Sequence, residues 1–248
     1  MQYFRLYMKH HFLISIFLIN LLLLGGCEEY NPYEESYSPN EEYSSFEENN
    51  NANVQNKYKY VDLGLSVKWA TCNVGANDPE EYGDYFAWGE VQPNRHYSWD
   101  YYTWGHGFYS LTKYCNDRNY GYNGFMDNKL KLDTSDDAAS ENWGGEWRMP
   151  SEEELHELVN CCDWSWTTRN DIKGYQITGP NGKSIFLPAA GFISDQSIYS
   201  AGSQGYYWAN SCVESFPSYA WMIHFNSKYI TADHYPRIYG RTIRPVCP

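Results

Sequence analysis

Residues able to do acid–base, nucleophilic or metal chemistry are present, but their spacing assembles none of the common catalytic devices. His96, His106, His156, His224 and His234 are scattered. No HExxH helix, Gly-x-Ser-x-Gly elbow or glycine-rich phosphate loop occurs, and His156 has no metal-ligand partner four residues on. Residues 58–248 hold 23 Asp and Glu, so many that closeness in sequence singles out no glycosidase pair and leaves carboxylate chemistry open. Cys161 and Cys162 are adjacent, but neighbours on a helix diverge by about 100°, so separate partners are expected. The reading is no catalytic residue, no metal and no cofactor.

Recognition chemistry is better represented. Between Tyr206 and Tyr239 the chain carries Tyr206, Tyr207, Trp208, Tyr219, Trp221, His224, Tyr229, His234, Tyr235, Arg237 and Tyr239 among Asn210, Ser211, Ser218, Asn226 and Ser227. Tyrosine and tryptophan give large contact area at low entropic cost, and serine and asparagine give adaptable hydrogen bonds. Along 219–225 the alternate residues Tyr219, Trp221, Ile223 and Phe225 form one apolar face, which assigns Trp221, Ile223 and Phe225 to the core. Residues between Asn226 and Tyr239 read as loop, where recognition groups concentrate. The ligand-binding candidates are Tyr229, His234, Tyr235, Arg237, Tyr239 and Asn210, with the tyrosines stacking on a sugar or filling a protein pocket and Arg237 pairing with an acidic group.

Short strands and long polar loops must position these groups. Pro150 followed by Ser151 and Glu154 predicts a capping box, with Leu155, Leu158, Val159 and Cys162 at helical spacing behind it. A shorter helix is expected over 136–141. Strands are expected over 58–63, 67–71, 174–178, 184–187, 206–211, 219–225 and 241–246, with a hairpin turn at Gly179-Pro180-Asn181-Gly182. Residues 92–128 lack periodicity and read as a long loop region. Arg148 is expected to fork onto a carboxylate or carbonyls inside the domain. Trp69, Trp88, Trp143 and Trp147 are expected in the core.

The first 57 residues are different in kind. Arg5 and Lys9 precede an apolar stretch over 12–24, and Leu24-Gly25-Gly26-Cys27 closes it, as in a bacterial lipoprotein signal. The stretch is short of the roughly 20 residues that span a bilayer. Residues 1–26 are read as signal peptide, Cys27 as the lipidation site, and residues 27–57, with eight glutamates and one lysine, as a disordered acidic spacer. Residues 58–248 then form one domain. Its 15 Lys and Arg against 23 acids argue against nucleic acid or an anionic membrane surface as partner. Membrane contact is expected through the lipid anchor only, at the outer membrane and at the cell surface. Six cysteines remain after Cys27, an even number that suggests disulfides in an exported domain.

Several blocks arrive in a recognisable order: Val61-Asp62-Leu63-Gly64-Leu65, Trp69 to Ala76, Gly83 to Glu90, Leu111 to Tyr114, Trp143 to Pro150, Phe186 to Gly191, Gly205 to Trp208 and Arg244-Pro245-Val246. The series, covering nearly all of 58–248, resembles the Fibrobacter succinogenes major paralogous domain. The resemblance implies an α+β fold, a single C-type-lectin-like domain of short antiparallel strands, one or two helices and long loops. It also implies a disulfide from Cys162 (or Cys161) to Cys247, since related domains tie a helix to the last strand. Gln92-Pro93-Asn94 looks like the tripeptide of calcium-dependent lectins, but it stands too early in the chain, and Trp208-Ala209-Asn210 offers one amide and no carboxylate. Two functions stay open: a surface-tethered module binding a protein or glycan without catalysis, and an exported enzyme acting on carbohydrate or thiols, related to the formylglycine-generating-enzyme fold.

Overall fold

The computed structural model describes residues 58–248. The signal peptide, Cys27 and the acidic spacer lie outside the described residues. Among the described residues no helix is long and apolar enough to cross a membrane.

Small antiparallel sheets dominate, with two short α-helices. Strands β1 (Tyr60–Val61) and β2 (Lys68–Ala70) open the domain. A long segment follows, with 3-10 turns at Tyr122–Gly124 and Thr134–Asp136, and leads into α1 (Ala138–Trp143) and α2 (Glu152–Cys161). Strands β3 (Asp163–Arg169), β4 (Ile172–Thr178) and β5 (Ser184–Pro188) form one meander, and β6 (Phe192–Ser194) and β7 (Ser197–Tyr199) form a hairpin. Strands β8 (Gln204–Val213), β9 (Phe216–Asn226) and β10 (Tyr229–Pro236) form a sheet in the order β10-β9-β8, and β11 (Val246–Cys247) returns to pair with β2. The β2 register puts Val246 opposite Trp69.

Local chemistry explains the helix starts. Ser151 accepts from the Glu154 N–H, and the Glu154 carboxylate accepts from the Ser151 N–H at 2.8 Å, closing the expected capping box. That carboxylate also takes both Nη groups of Arg148 at 2.8 and 2.6 Å, the predicted fork. Asp137 caps α1 by accepting from the Ala139 and Ser140 N–H groups, and it accepts from the Met149 N–H as well. The turn between β4 and β5 uses Gly182 at φ 80°, a conformation glycine adopts without strain.

Two apolar clusters lie on opposite faces of the β8–β9–β10 sheet. Tyr206, Trp208, Ala220 and Met222 join Trp88, Trp143 and Trp147 on one side. Tyr207, Ile223 and Phe225 join Trp69, Leu155, Leu158 and Val246 on the other. The four expected core tryptophans are at most 4% exposed. Ile223 and Phe225 are buried as expected, and Trp221 is half-buried against the second cluster.

Three expectations are corrected. Residues 229–236 form a strand and not a loop, because Ile230, Ala232 and His234 alternate with Thr231, Asp233 and Tyr235 in register with β9. Residues 163–169, to which no element was assigned, form β3, with Trp164 and Trp166 edge-on to Tyr175 at 5.4 and 5.1 Å. Of residues 241–246, Arg241 and Thr242 make isolated bridges with Phe86 and Tyr207, and Val246 alone joins a strand, β11, in place of one continuous strand.

The disulfide pairing is corrected too. All six described cysteines are free. Cys247 packs in the first apolar cluster and Cys162 against the second, so the Cys162 and Cys247 thiols belong to opposite sides of the core. Burial pushes the Cys162 thiol up to about 11, assisted by Cys161, which suppresses its thiolate.

Candidate functional site

Strand alternation divides the predicted ligand residues. Tyr229, Thr231, Asp233 and Tyr235 share one face of β10, opposite Asn226, His224, Met222 and Ala220 on β9. His224 lies opposite Tyr206 on β8. Tyr229 and Tyr235 are 44% and 42% exposed, so large rings stand in solvent on a rigid strand. The two lie six residues apart along one strand and not on a loop.

Beneath them is a ring network. The His224 imidazole stacks on Tyr206 at 4.3 Å and meets the Tyr229 ring edge-on at 5.2 Å. Its Nε2 is 3.0 Å from Gln204 Oε1 and 3.4 Å from the Tyr229 hydroxyl. The Tyr206 hydroxyl donates to the same Gln204 oxygen. Burial lowers the His224 pKa, and the positive charge of Arg241 lowers it further. Phe192 on β6 adds edge contacts to Tyr206 at 5.2 Å and Tyr239 at 5.7 Å.

At the centre is Arg241, which no sequence signal distinguished from its neighbours. Its guanidinium carbon lies 4.4 Å from the centroid of Trp208, 5.0 Å from Tyr206, 5.0 Å from Tyr235 and 5.9 Å from Tyr239. The residue is 1% exposed. Burial disfavours its charged form, which the surrounding tyrosines and Asp233 favour.

The other predicted residues fall elsewhere. Arg237 is fully buried and is corrected as a ligand contact: its Nη1 and Nη2 donate to the carbonyls of Tyr114 and Lys113 at 3.2 and 2.8 Å, pinning the long loop segment. His234 faces the opposite side of the sheet, edge-on to Trp221 at 5.4 Å and Tyr219 at 5.6 Å. Asn210 is half-buried, with its backbone clamped between Leu132 and Pro150. Tyr239 is half-buried and belongs to the Arg241 cage.

Concave sites show different chemistry. A cleft of about 430 Å³ is lined by Glu90, Gln92, Asn94, Trp104 and Asp136, among others. Its carboxylates are already engaged. Glu90 accepts from the Thr103 N–H and hydroxyl, both at 2.8 Å, and Asp136 accepts from Lys113 and Tyr114. Asn94 turns its carbonyl oxygen onto the Arg95 N–H at 2.7 Å, so the Gln92-Pro93-Asn94 tripeptide spends that oxygen on its own turn. Among the described residues no group of three or more His, Cys, Asp or Glu could hold a metal ion.

No curated protein matches the chain, and no solved structure does. The sequence profile described as Lcl C-terminal domain matches residues 59–247, which takes in every strand, both helices and the whole tyrosine face. The chain therefore belongs to the Lcl C-terminal domain family, a family of bacterial lipoprotein-type proteins.

Proposed function

We propose that this chain is a lipid-tethered surface module whose domain recognises a protein partner through the tyrosine face of the β8–β9–β10 sheet, without catalysis. The observation that carries the reading is the pair Tyr229 and Tyr235, exposed on one face of β10, with Tyr235 over a buried arginine. Tyrosine, tryptophan and arginine are the residue types that dominate binding energy at protein interfaces. Strand β10 is also the edge of its sheet, and an edge can take an added strand from a partner. Consumption of the cleft carboxylates by internal hydrogen bonds supports binding over hydrolysis. Tethering through Cys27 at the outer membrane follows from the signal-like tetrapeptide and acidic spacer. The finer kinship, to the Fibrobacter paralogous domain and through it to C-type-lectin-like folds, is part of this reading and rests on the ordered sequence blocks.

A photo-crosslinking residue placed at Tyr235 in the full chain on cells tests the surface. A discrete protein adduct is expected from position 235, absent from a control at exposed Tyr109 and lost when Tyr229→Ser is added. Retention on a glycan array that disappears in the Tyr229→Ser, Tyr235→Ser variant, with no protein adduct, would replace the protein partner by a glycan.

A further inference from the structure

We propose that Arg241 anchors a carboxylate of the protein partner, an Asp or Glu side chain or a chain terminus presented into the tyrosine face. The proposal rests on the reading of that face as a protein-recognition surface and assigns the chemistry at its centre.

Three arginines are buried in the domain, and two have evident structural work. Arg237 forks onto two carbonyls of the loop segment. Arg244 donates from Nε to Asn73 Oδ1 at 2.8 Å and from Nη1 to the carbonyls of Ala70 and Thr71 at 3.2 and 3.0 Å. Arg237 Nε and Arg244 Nη2 each lack a partner too, but each of those side chains donates elsewhere, whereas Arg241 leaves both Nε and Nη1 without a hydrogen-bond partner. Rings stabilise the faces of a guanidinium, but its N–H donors lie in the plane and point past them. Unserved N–H donors on a buried guanidinium call for an anionic acceptor, and a carboxylate oxygen supplies both the charge and the hydrogen bond.

Among the described residues none supplies such a partner. Asp233, which acts on Arg241 through space, turns its Oδ1 onto the His234 N–H at 2.7 Å. No ion pair to Arg241 forms among the described residues. The cage is asymmetric: Trp208 and Tyr206 are buried, whereas Tyr235 is 42% exposed. Rotation of the exposed Tyr235 ring is the least obstructed way in, because exposed side chains change rotamer readily. Asp233 beside the cage, in a domain with an excess of acids, favours one added negative charge over two. Groups facing the guanidinium are Tyr206, Tyr235, Tyr239, Asp233 and, across Tyr206, His224.

His224 provides the readout, because an anion on Arg241 offsets the charge that lowers its pKa. In the full chain, NMR would follow the Arg241 Nε–H signal and the His224 titration while acetyl-Gly-Glu-Gly-amide is added, with the Gln peptide as control. The Glu peptide is expected to shift the Arg241 signal and raise the His224 midpoint; the Gln peptide should do neither. Arg241→Gln should abolish the response and weaken the Tyr235 adduct by about tenfold or more. Identical behaviour of the two peptides, or silence at Arg241, overturns the proposal. So does a response to glucuronate or inorganic phosphate without one to the Glu peptide, since the anchor would then serve another ligand class. Should Arg241→Gln fail to fold, the wild-type NMR comparison decides alone. An adduct that persists unchanged in a folded Arg241→Gln removes the anchor and leaves the surface; absence of any wild-type adduct removes the surface itself.

Discussion

His224 is the residue that couples the tyrosine face to pH. Its folded pKa lies below the ordinary histidine value because burial and Arg241 disfavour the cation. The unfolded chain therefore binds a proton first as pH falls, and the stabilising contribution present above about 6.5 is lost as pH drops through the folded pKa. Thermal melts should show the midpoint falling between pH 7.5 and pH 5, with a shallower slope in His224→Gln. An unaltered slope in that variant would show that other groups carry the acid sensitivity. At this scale the sequence was legible for tyrosines and ambiguous for arginines. Tyr229 and Tyr235 announce themselves by type, but Arg237, Arg241 and Arg244 are three buried cations within eight residues. Which one forks onto carbonyls and which sits among rings is decided by the path of Lys113, Tyr114 and Trp208, segments more than thirty residues away in sequence.

At the scale of elements, α2 depends on one shared carboxylate. Ser151→Ala removes half of the capping box and should cost about 1 kcal/mol. Glu154→Ala removes the reciprocal bond and the Arg148 fork together, so about 2 kcal/mol is expected. Urea unfolding of the two variants checks the order; equal costs would mean that Arg148 finds another acceptor. This helix was readable because its signals are local: Pro150, Ser151 and Glu154 specify the start, and apolar spacing specifies the face. Strand β10 was misread because both its faces carry polar residues, so alternation gave no contrast; Thr231, Asp233 and Tyr235 look solvated until β9 is placed beside them. Strand β3 does carry a period-two signal, Trp164 and Trp166 alternating with Ser165 and Thr167.

For the whole molecule, apolar burial does without crosslinks in the structure. Iodoacetamide under native conditions should label exposed Cys161 first, and peptide maps made without reduction should recover Cys162 and Cys247 unpaired. A Cys162–Cys247 peptide would demand a rearranged core, given the opposite clusters the two thiols occupy. The architecture of many short strands with a capped helix was visible in the sequence, and the division of the core by the β8–β9–β10 sheet was not. That division needs β9 buried on both faces, and the expected alternation accounted for only the Trp221, Ile223 and Phe225 side.

Strand β2, among the first elements of the domain, is completed by β11, its last. Removal of residues 246–248 strips Val246 from the second cluster and leaves Trp69 paired with Val61 on one side only, so a fall in melting temperature of several degrees is expected. There is also a consequence in time. While the ribosome is still adding residues, Trp69 has nothing to pair with on that side, and the sheet at the head of the domain stays open until Val246 emerges. The late strand thus acts as a latch on the head of the domain: the first sheet is whole only once β11 has docked.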